Sequence, residues 1–344
     1  MLIAIEEHWM PPSVTGALKC LPRPDESLAF NDMGDHQQRL EDLDERRIAA
    51  MDAQGVDISI LALTPPGTQP LAPDQARLLS SAANDTVVAA ISKHPTRFRA
   101  LSTLPMSSPA HVVDELVRAK GLGHVGAMVY GRSGDRFLDD PAYDEFFAAA
   151  AELSQPVFIH PQIPSEATRD ASYRGLGDLT DLALATFGWG WHLDAALAAL
   201  RLVLRGTFDR YPELQIVLGH WGEMLLFWLD RADGLSRIAG LQRPVSDYLR
   251  SNFHITASGM LNPALLHHVL SVTSVDRVMF STDYPFQHPT QHEIDSFLGH
   301  FGSAEDRQKF SFTNAATLYG LDLGGLHDPG VHPATTPSTP YRKE

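Results

Sequence analysis

Eight short runs rich in Ile, Val, Leu and Phe recur along the chain, and a helix-like pattern follows each of them. The runs are 2–8, 57–63, 97–103, 124–130, 155–160, 214–220, 252–257 and 277–283. Several are almost continuously apolar, the pattern of strands covered on both faces. The helical patterns lie at 42–54, 73–93, 109–119, 141–153, 193–211, 222–239, 262–272 and 304–318. Asn262-Pro263 reads as an N-cap followed by Pro in the first helical turn. Strict alternation predicts an α/β fold with a parallel sheet and crossover helices. Eight repeats predict a (β/α)8 TIM barrel, with an open doubly wound sheet as the alternative.

Two segments interrupt the alternation. Residues 9–41 follow the first strand and are rich in Pro and Asp; residues 161–192 follow the fifth and contain Trp189 and Trp191. In a barrel both insertions fall on the C-terminal face, where active sites are built. The domain is predicted to be a barrel over 1–323. Residues 324–344, rich in Pro and Thr, read as a tail that is mobile or draped over a partner subunit.

Composition narrows the chemistry. With 27 Lys plus Arg against 42 Asp plus Glu, the net charge is −15, which disfavours nucleic acid and an anionic membrane surface as partners. The single Cys20 excludes an intramolecular disulfide and a cysteine-based zinc site. The apolar opening is too short for a secretory leader, no basic residue precedes it, and no run of 18 apolar residues spans a bilayer, so the expected location is the cytoplasm.

Polar residues collect where the strands should emerge. The first run ends in Glu6-Glu7-His8, the fifth in His160, the sixth in His220 and the eighth in Asp283. Glu6 and His8 are two apart and share one strand face, the barrel interior. A single His at a strand end is commonly a hydrogen-bonded structural residue, and an Asp there commonly caps the next helix. Convergence of four strand ends on one rim changes the balance, because so many buried ionisable groups need a cation or a paired network. His and carboxylate ligands suit Zn, Mn or Fe.

The chain resembles the amidohydrolase superfamily, in the branch that holds aminocarboxymuconate-semialdehyde decarboxylase and the γ-resorcylate and 2,3-dihydroxybenzoate decarboxylases. Ile5-Glu6-Glu7-His8, Phe158-Ile159-His160-Pro161, Gly219-His220-Trp221-Gly222-Glu223 and Ser281-Thr282-Asp283-Tyr284-Pro285-Phe286 carry the resemblance, with further matches to about residue 321. It implies one divalent metal ion per chain, Zn or Mn, on Glu6, His8, His160 and Asp283. It implies that His220 lies beside the metal and that Glu223 orients it. It places Arg231, Tyr130 and Phe286 near the substrate, although those decarboxylases have Asn where this sequence has Tyr130. It also implies a homodimer or homotetramer.

The implied reaction is non-oxidative decarboxylation of an ortho-hydroxylated aromatic acid, reversible with CO2, with Asp283 as proton donor. A metal-dependent hydrolase of an amide, lactone or ester is the alternative, since one barrel hosts many chemistries. A non-catalytic binding or scaffold protein is a third reading, disfavoured by the intact ligand set. Arg39, Arg46 and Arg47 join Arg231 as candidates to contact the substrate carboxylate, and Phe187, Trp189 and Trp191 are candidates to line the pocket.

Overall fold

A computed structural model describes residues 1–323; the tail at 324–344 lies outside the described residues. Eight parallel strands follow one another in chain order: β1 (Ile3–Trp9), β2 (Ile58–Leu63), β3 (Phe98–Thr103), β4 (Gly126–Tyr130), β5 (Val157–His160), β6 (Ile216–Leu218), β7 (Phe253–Thr256) and β8 (Val278–Met279). The ring closes between the last strand and the first. Ile5 N donates to Phe280 O at 3.2 Å, Asp283 N to Glu6 O at 3.1 Å and His8 N to Tyr284 O at 2.7 Å. The (β/α)8 barrel is therefore the observed architecture, and the open sheet is excluded.

Two apolar layers follow from the period of two along each strand. Ile3, Ile5, Ile58, Ile60, Leu101, Met128, Phe158, Val217 and Met279 fill the barrel, and Ala315 and Tyr319 of the last helix pack with them. The alternate residues, such as Leu61, Val129, Ile159, Leu218 and Phe280, pack against the helices outside.

The first strand breaks this parity. Its pairing with β2 shifts between Ala4 and Glu7, where a β-bulge inserts one extra residue. Ile3 and Ile5 point inward below the bulge; Glu6 and His8 point inward above it, with Glu7 and Trp9 turned out. Regular alternation from Ile5 would have sent Glu7 into the barrel and His8 away from it.

Several expected boundaries move. The helix expected over 222–239 is broken into short pieces: a turn over Leu225–Trp228, then Leu229–Ala232 and Gly234–Ala239. The cause is a run of left-handed backbone at 220–224, which no continuous helix can contain. The crossover helix into β7 is instead Val245–Asn252. The last helical pattern is three pieces, Ala304–Gln308, a π-turn at Lys309–Thr313, and Asn314–Leu318. The insertions are helical, with Pro12–Lys19, Leu28–Asn31 and His36–Glu41 in one, and Glu166–Ser172 and Asp178–Ala185 in the other.

Arg47 ties the first crossover to the rim of the barrel. It is 1% exposed, its Nε donates to Asp42 O at 2.9 Å, and its Nη2 donates to Arg39 O at 3.1 Å and to His8 O. The guanidinium also lies 4.6 Å above the Tyr284 ring, beyond β8. It is thus a structural cation held by backbone carbonyls and does not line the cavity at the barrel mouth. Its fork geometry is not available to Lys. Arg47→Met should lower the free energy of unfolding by about 3 kcal/mol, since it leaves buried carbonyls unpaired. Arg47→Lys should recover little of that. Urea titration checks both, and a midpoint unchanged in Arg47→Met contradicts this role.

Candidate active site

Glu6 and His8 on β1, His160 at the end of β5, and Asp283 beyond β8 meet at the C-terminal mouth. Their ligating atoms all lie within 4.8 Å of one another. His8 Nε2 is 3.3 Å from Asp283 Oδ1, and His160 Nε2 is 3.3 Å from Glu6 Oε1. Glu6 Oε1 and both ring nitrogens of His8 are buried and make no hydrogen bond. His160 Nδ1 donates to Pro161 O at 2.8 Å, which leaves the Nε2 lone pair facing Glu6. Glu6 Oε2 is held by the Ser258 hydroxyl. Buried acceptors of this kind aimed at one point fit a divalent cation, and the second partner on His160 is what fixes a ligating imidazole.

Charge reinforces the fit. Burial, then the charges of His160 and His220, hold His8 well below the usual histidine range, so it is neutral and able to ligate. Burial and the neighbouring Glu6 charge push the Asp283 carboxyl well above its usual range, with His220 opposing.

Three rim positions adopt left-handed backbone: His220 (φ 47°), Ser258 (φ 46°) and Asp283 (φ 60°). Such conformations cost on the order of 1 kcal/mol or more each in a non-glycine residue and persist where surrounding contacts enforce them. After β6 the chain stays left-handed from His220 to Met224, which folds Glu223 back against His220. Glu223 Oε1 accepts from His220 Nδ1 at 2.8 Å. Gly219 is required here, because a Cβ would come within 2.9 Å of Ser258 Oγ and 3.2 Å of both Glu6 and Glu223. Burial opposes the His220 charge, but Glu223 outweighs it and holds the imidazole near a pKa of about 10. Glu223 stays ionised down to about 2, because the charges and hydrogen bonds of His220 and His192 overcome its burial.

His192 is the residue that sequence reasoning missed. It opens the helix Gly190–Leu204, and its Nδ1 donates to the other Glu223 oxygen at 2.7 Å. Its ring lies 4.6 Å from that of His220, and its Nε2 lies 3.1 Å from Trp191 Nε1. No spacing rule links it to His220; the neighbouring tryptophans were the only signal.

The site opens into a cavity of about 530 Å³. Phe286 lines it, 5.8 Å from the His8 ring, as do Phe187, Trp189 and Trp191. Two expected substrate contacts do not reach it. Tyr130 packs behind His160 at 6.0 Å, and its hydroxyl is committed to Leu63 O at 2.6 Å. Arg231 sits exposed in the short helix Leu229–Ala232 that follows the left-handed run at 220–224, and it does not line the cavity. Arg39 pairs with Asp35 at 2.8 Å and Arg46 with Gln38 at 3.0 Å, and neither lines the cavity. A wider cleft of about 880 Å³ contains none of the ligating residues.

A barrel with a His and carboxylate cluster at its C-terminal rim defines a TIM-barrel enzyme with a metal-binding group. The chain belongs to the amidohydrolase family, whose model matches residues 8–321. It is 34% identical over 339 residues to the γ-resorcylate decarboxylase of Polaromonas sp. strain JS666, covering 93% of this chain and 98% of that one. The γ-resorcylate decarboxylase of Rhizobium sp. strain MTP-10005 is 33% identical over 342 residues, with the same coverage. A crystal structure of 5-carboxyvanillate decarboxylase from Novosphingobium aromaticivorans, with manganese and 4-hydroxy-3-methoxy-5-nitrobenzoic acid, superposes with a TM-score of 0.85 at 32% identity, covering 93% of this chain and 96% of that one.

Glu223→Gln should release His220. The imidazole, held at about 10 in the parent, should fall toward its ordinary value of ~6.5. Protonated His220 then persists through neutral pH in the parent and is lost near neutrality in the variant. The alkaline limb of the kcat/KM profile should move to lower pH accordingly. An alkaline limb unchanged in Glu223→Gln contradicts this assignment.

Proposed function

We propose that this chain is a carboxy-lyase that removes CO2, without oxidation, from an ortho-hydroxylated aromatic carboxylic acid. The observation that carries the reading is the buried cluster of Glu6, His8, His160 and Asp283 beside a protonated His220, opening into an aromatic-lined cavity. The decarboxylase relatives, matched over nearly the whole chain, support it over hydrolysis.

Glu6, His8, His160 and Asp283 would hold the divalent cation, Mn or Zn. When bound, that cation would orient and neutralise the carboxylate and adjacent hydroxyl oxygen of the substrate. The remaining work falls to the protein. The aromatic ring packs against Phe286. Asp283 gives its proton to the ring carbon that bears the carboxylate. The new C–H bond forms there and the ring loses aromaticity. The C–C bond to the carboxylate then breaks, its electron pair restores the ring, and CO2 leaves. His220, kept protonated by Glu223, balances the negative charge that Asp283 acquires. A proton from solvent restores Asp283. Each step is reversible, so high bicarbonate should drive carboxylation of the phenol.

The chain is further read as a cytoplasmic homodimer or homotetramer acting on small aromatic carboxylates. Among the described residues no helix is long and apolar enough to cross a membrane. Exposed Phe227, Trp228 and Ile238, on the broken segment after β6, offer apolar surface for a second copy.

A panel of hydroxybenzoates tests the reaction, with CO2 and the phenol quantified. Decarboxylation of at least one 2-hydroxy acid is expected. Asp283→Asn should lower its turnover by roughly 10²–10⁴-fold, the usual contribution of a general acid. Hydrolysis of an amide, lactone or ester with no CO2 from any hydroxy acid would overturn the proposal.

A further inference from the structure

The cavity has two chemically different ends. Its floor holds the His and carboxylate cluster together with His220 and Glu223. Its wall and mouth are mostly apolar, and their large apolar groups come mainly from the two insertions: Phe30 and Met33 from the first, beside the polar Asn31 and His36, and Phe187, Trp189 and Trp191 from the second. Phe30 contacts Phe187 edge-on at 5.4 Å and Trp191 at 6.5 Å. Trp191 contacts His192 at 6.0 Å, and His192 contacts His220 at 4.6 Å. The rings thus form one continuous wall from the polar floor to the mouth. At that mouth Phe187 is 56% exposed and Trp189 44% exposed, as is Met33 at 53%, so large apolar groups stand open to solvent.

Charge is distributed just as unevenly. No Lys or Arg lines the cavity among the described residues; His8, His160, His192 and His220 belong to the floor, and His36 on the wall engages Phe30 O through Nδ1 at 2.9 Å. An anionic group at the far end of a ligand would be desolvated against aromatic rings without a counter-charge, which is costly. Size points the same way. A cavity of ~150 Å³ accepts a benzene ring, whereas this one is about 530 Å³.

We infer that the substrate is a hydroxyaryl acid whose ring carries, on the side away from its carboxylate, an uncharged apolar extension such as an alkyl chain or a second ring. The segments 9–41 and 161–192 select it through Phe30, Phe187, Trp189 and Trp191. The polar half of this statement rests on the decarboxylase reading; the apolar half rests on the cavity alone.

Calorimetric binding of product-like phenols to the full-length protein tests the inference without turnover. The series is phenol, 3-ethylphenol, 3-phenylphenol and 3-hydroxybenzyl alcohol, each also measured with Phe187→Ala and Trp189→Ala. Affinity should rise by roughly fourfold per buried methylene and by more than about tenfold for the phenyl group. The ligand with the uncharged polar group should bind no better than phenol. Each substitution should shrink the ratio of 3-phenylphenol to phenol affinity. Tighter binding of 3-hydroxybenzyl alcohol than of 3-phenylphenol, or no gain from the apolar groups, overturns the inference. A gain that survives both substitutions overturns the assignment to these side chains. If apolar phenols bind tightly while no hydroxyaryl acid releases CO2, the apolar occupant stands and the decarboxylase reading falls.

Discussion

Crowding of negative charge at the rim of the barrel is the constraint on which the rest of this structure depends. Glu6, Glu7, Asp283 and Glu223 lie at one end of one barrel, and Glu6 and Glu223 are both fully buried. Like charges this close in a poorly solvated site raise one another's pKa or require a cation. Each carboxylate has a different answer. Glu7 turns outward and accepts from Thr282 N and Oγ1, both at 2.9 Å, although burial still holds its pKa near about 7. Glu223 is matched by two imidazoles. Glu6 and Asp283 share the ligating cluster with two histidines, a set that suits a divalent cation.

Backbone geometry allows those answers to coexist. The bulge in β1 separates the ligating Glu6 from the outward Glu7, so adjacent glutamates serve different layers. The left-handed turn after β6 brings Glu223 under His220. These are local departures from regular structure in a barrel whose remaining strands alternate cleanly. They sit on the face where barrel enzymes place their chemistry. The insertions then supply a wall that the barrel alone lacks, so chemistry and recognition come from separate parts of the chain.

The sequence made the barrel legible because its strands are short, apolar and regularly spaced, and burial on both faces leaves that pattern intact. The cluster was legible because Glu6, His8, His160 and Asp283 each interrupt an apolar strand at its end. His192 was not, because it enters the site from an inserted helix whose position depends on tertiary packing. Arg231 and Tyr130 were misplaced for a related reason. The family resemblance placed both near the substrate, and a resemblance carries no information on the local backbone of this chain. Here the left-handed run at 220–224 precedes the short helix of Arg231, and the bond to Leu63 O commits the Tyr130 hydroxyl. Arg47 was a candidate contact for the substrate carboxylate, and only the packing of its helix against β1 shows that it is buried and bonded to backbone carbonyls.

Manganese titration of chelator-stripped protein, followed by electron paramagnetic resonance and by thermal unfolding, reaches the central claim most directly. One Mn²⁺ per chain should bind, with a saturable rise in unfolding temperature as expected for a ligand of the native state. Glu6→Gln together with His160→Ala should abolish both signals while the protein remains folded by circular dichroism. No saturable site in the parent chain, or a site that survives the double substitution, would contradict the account.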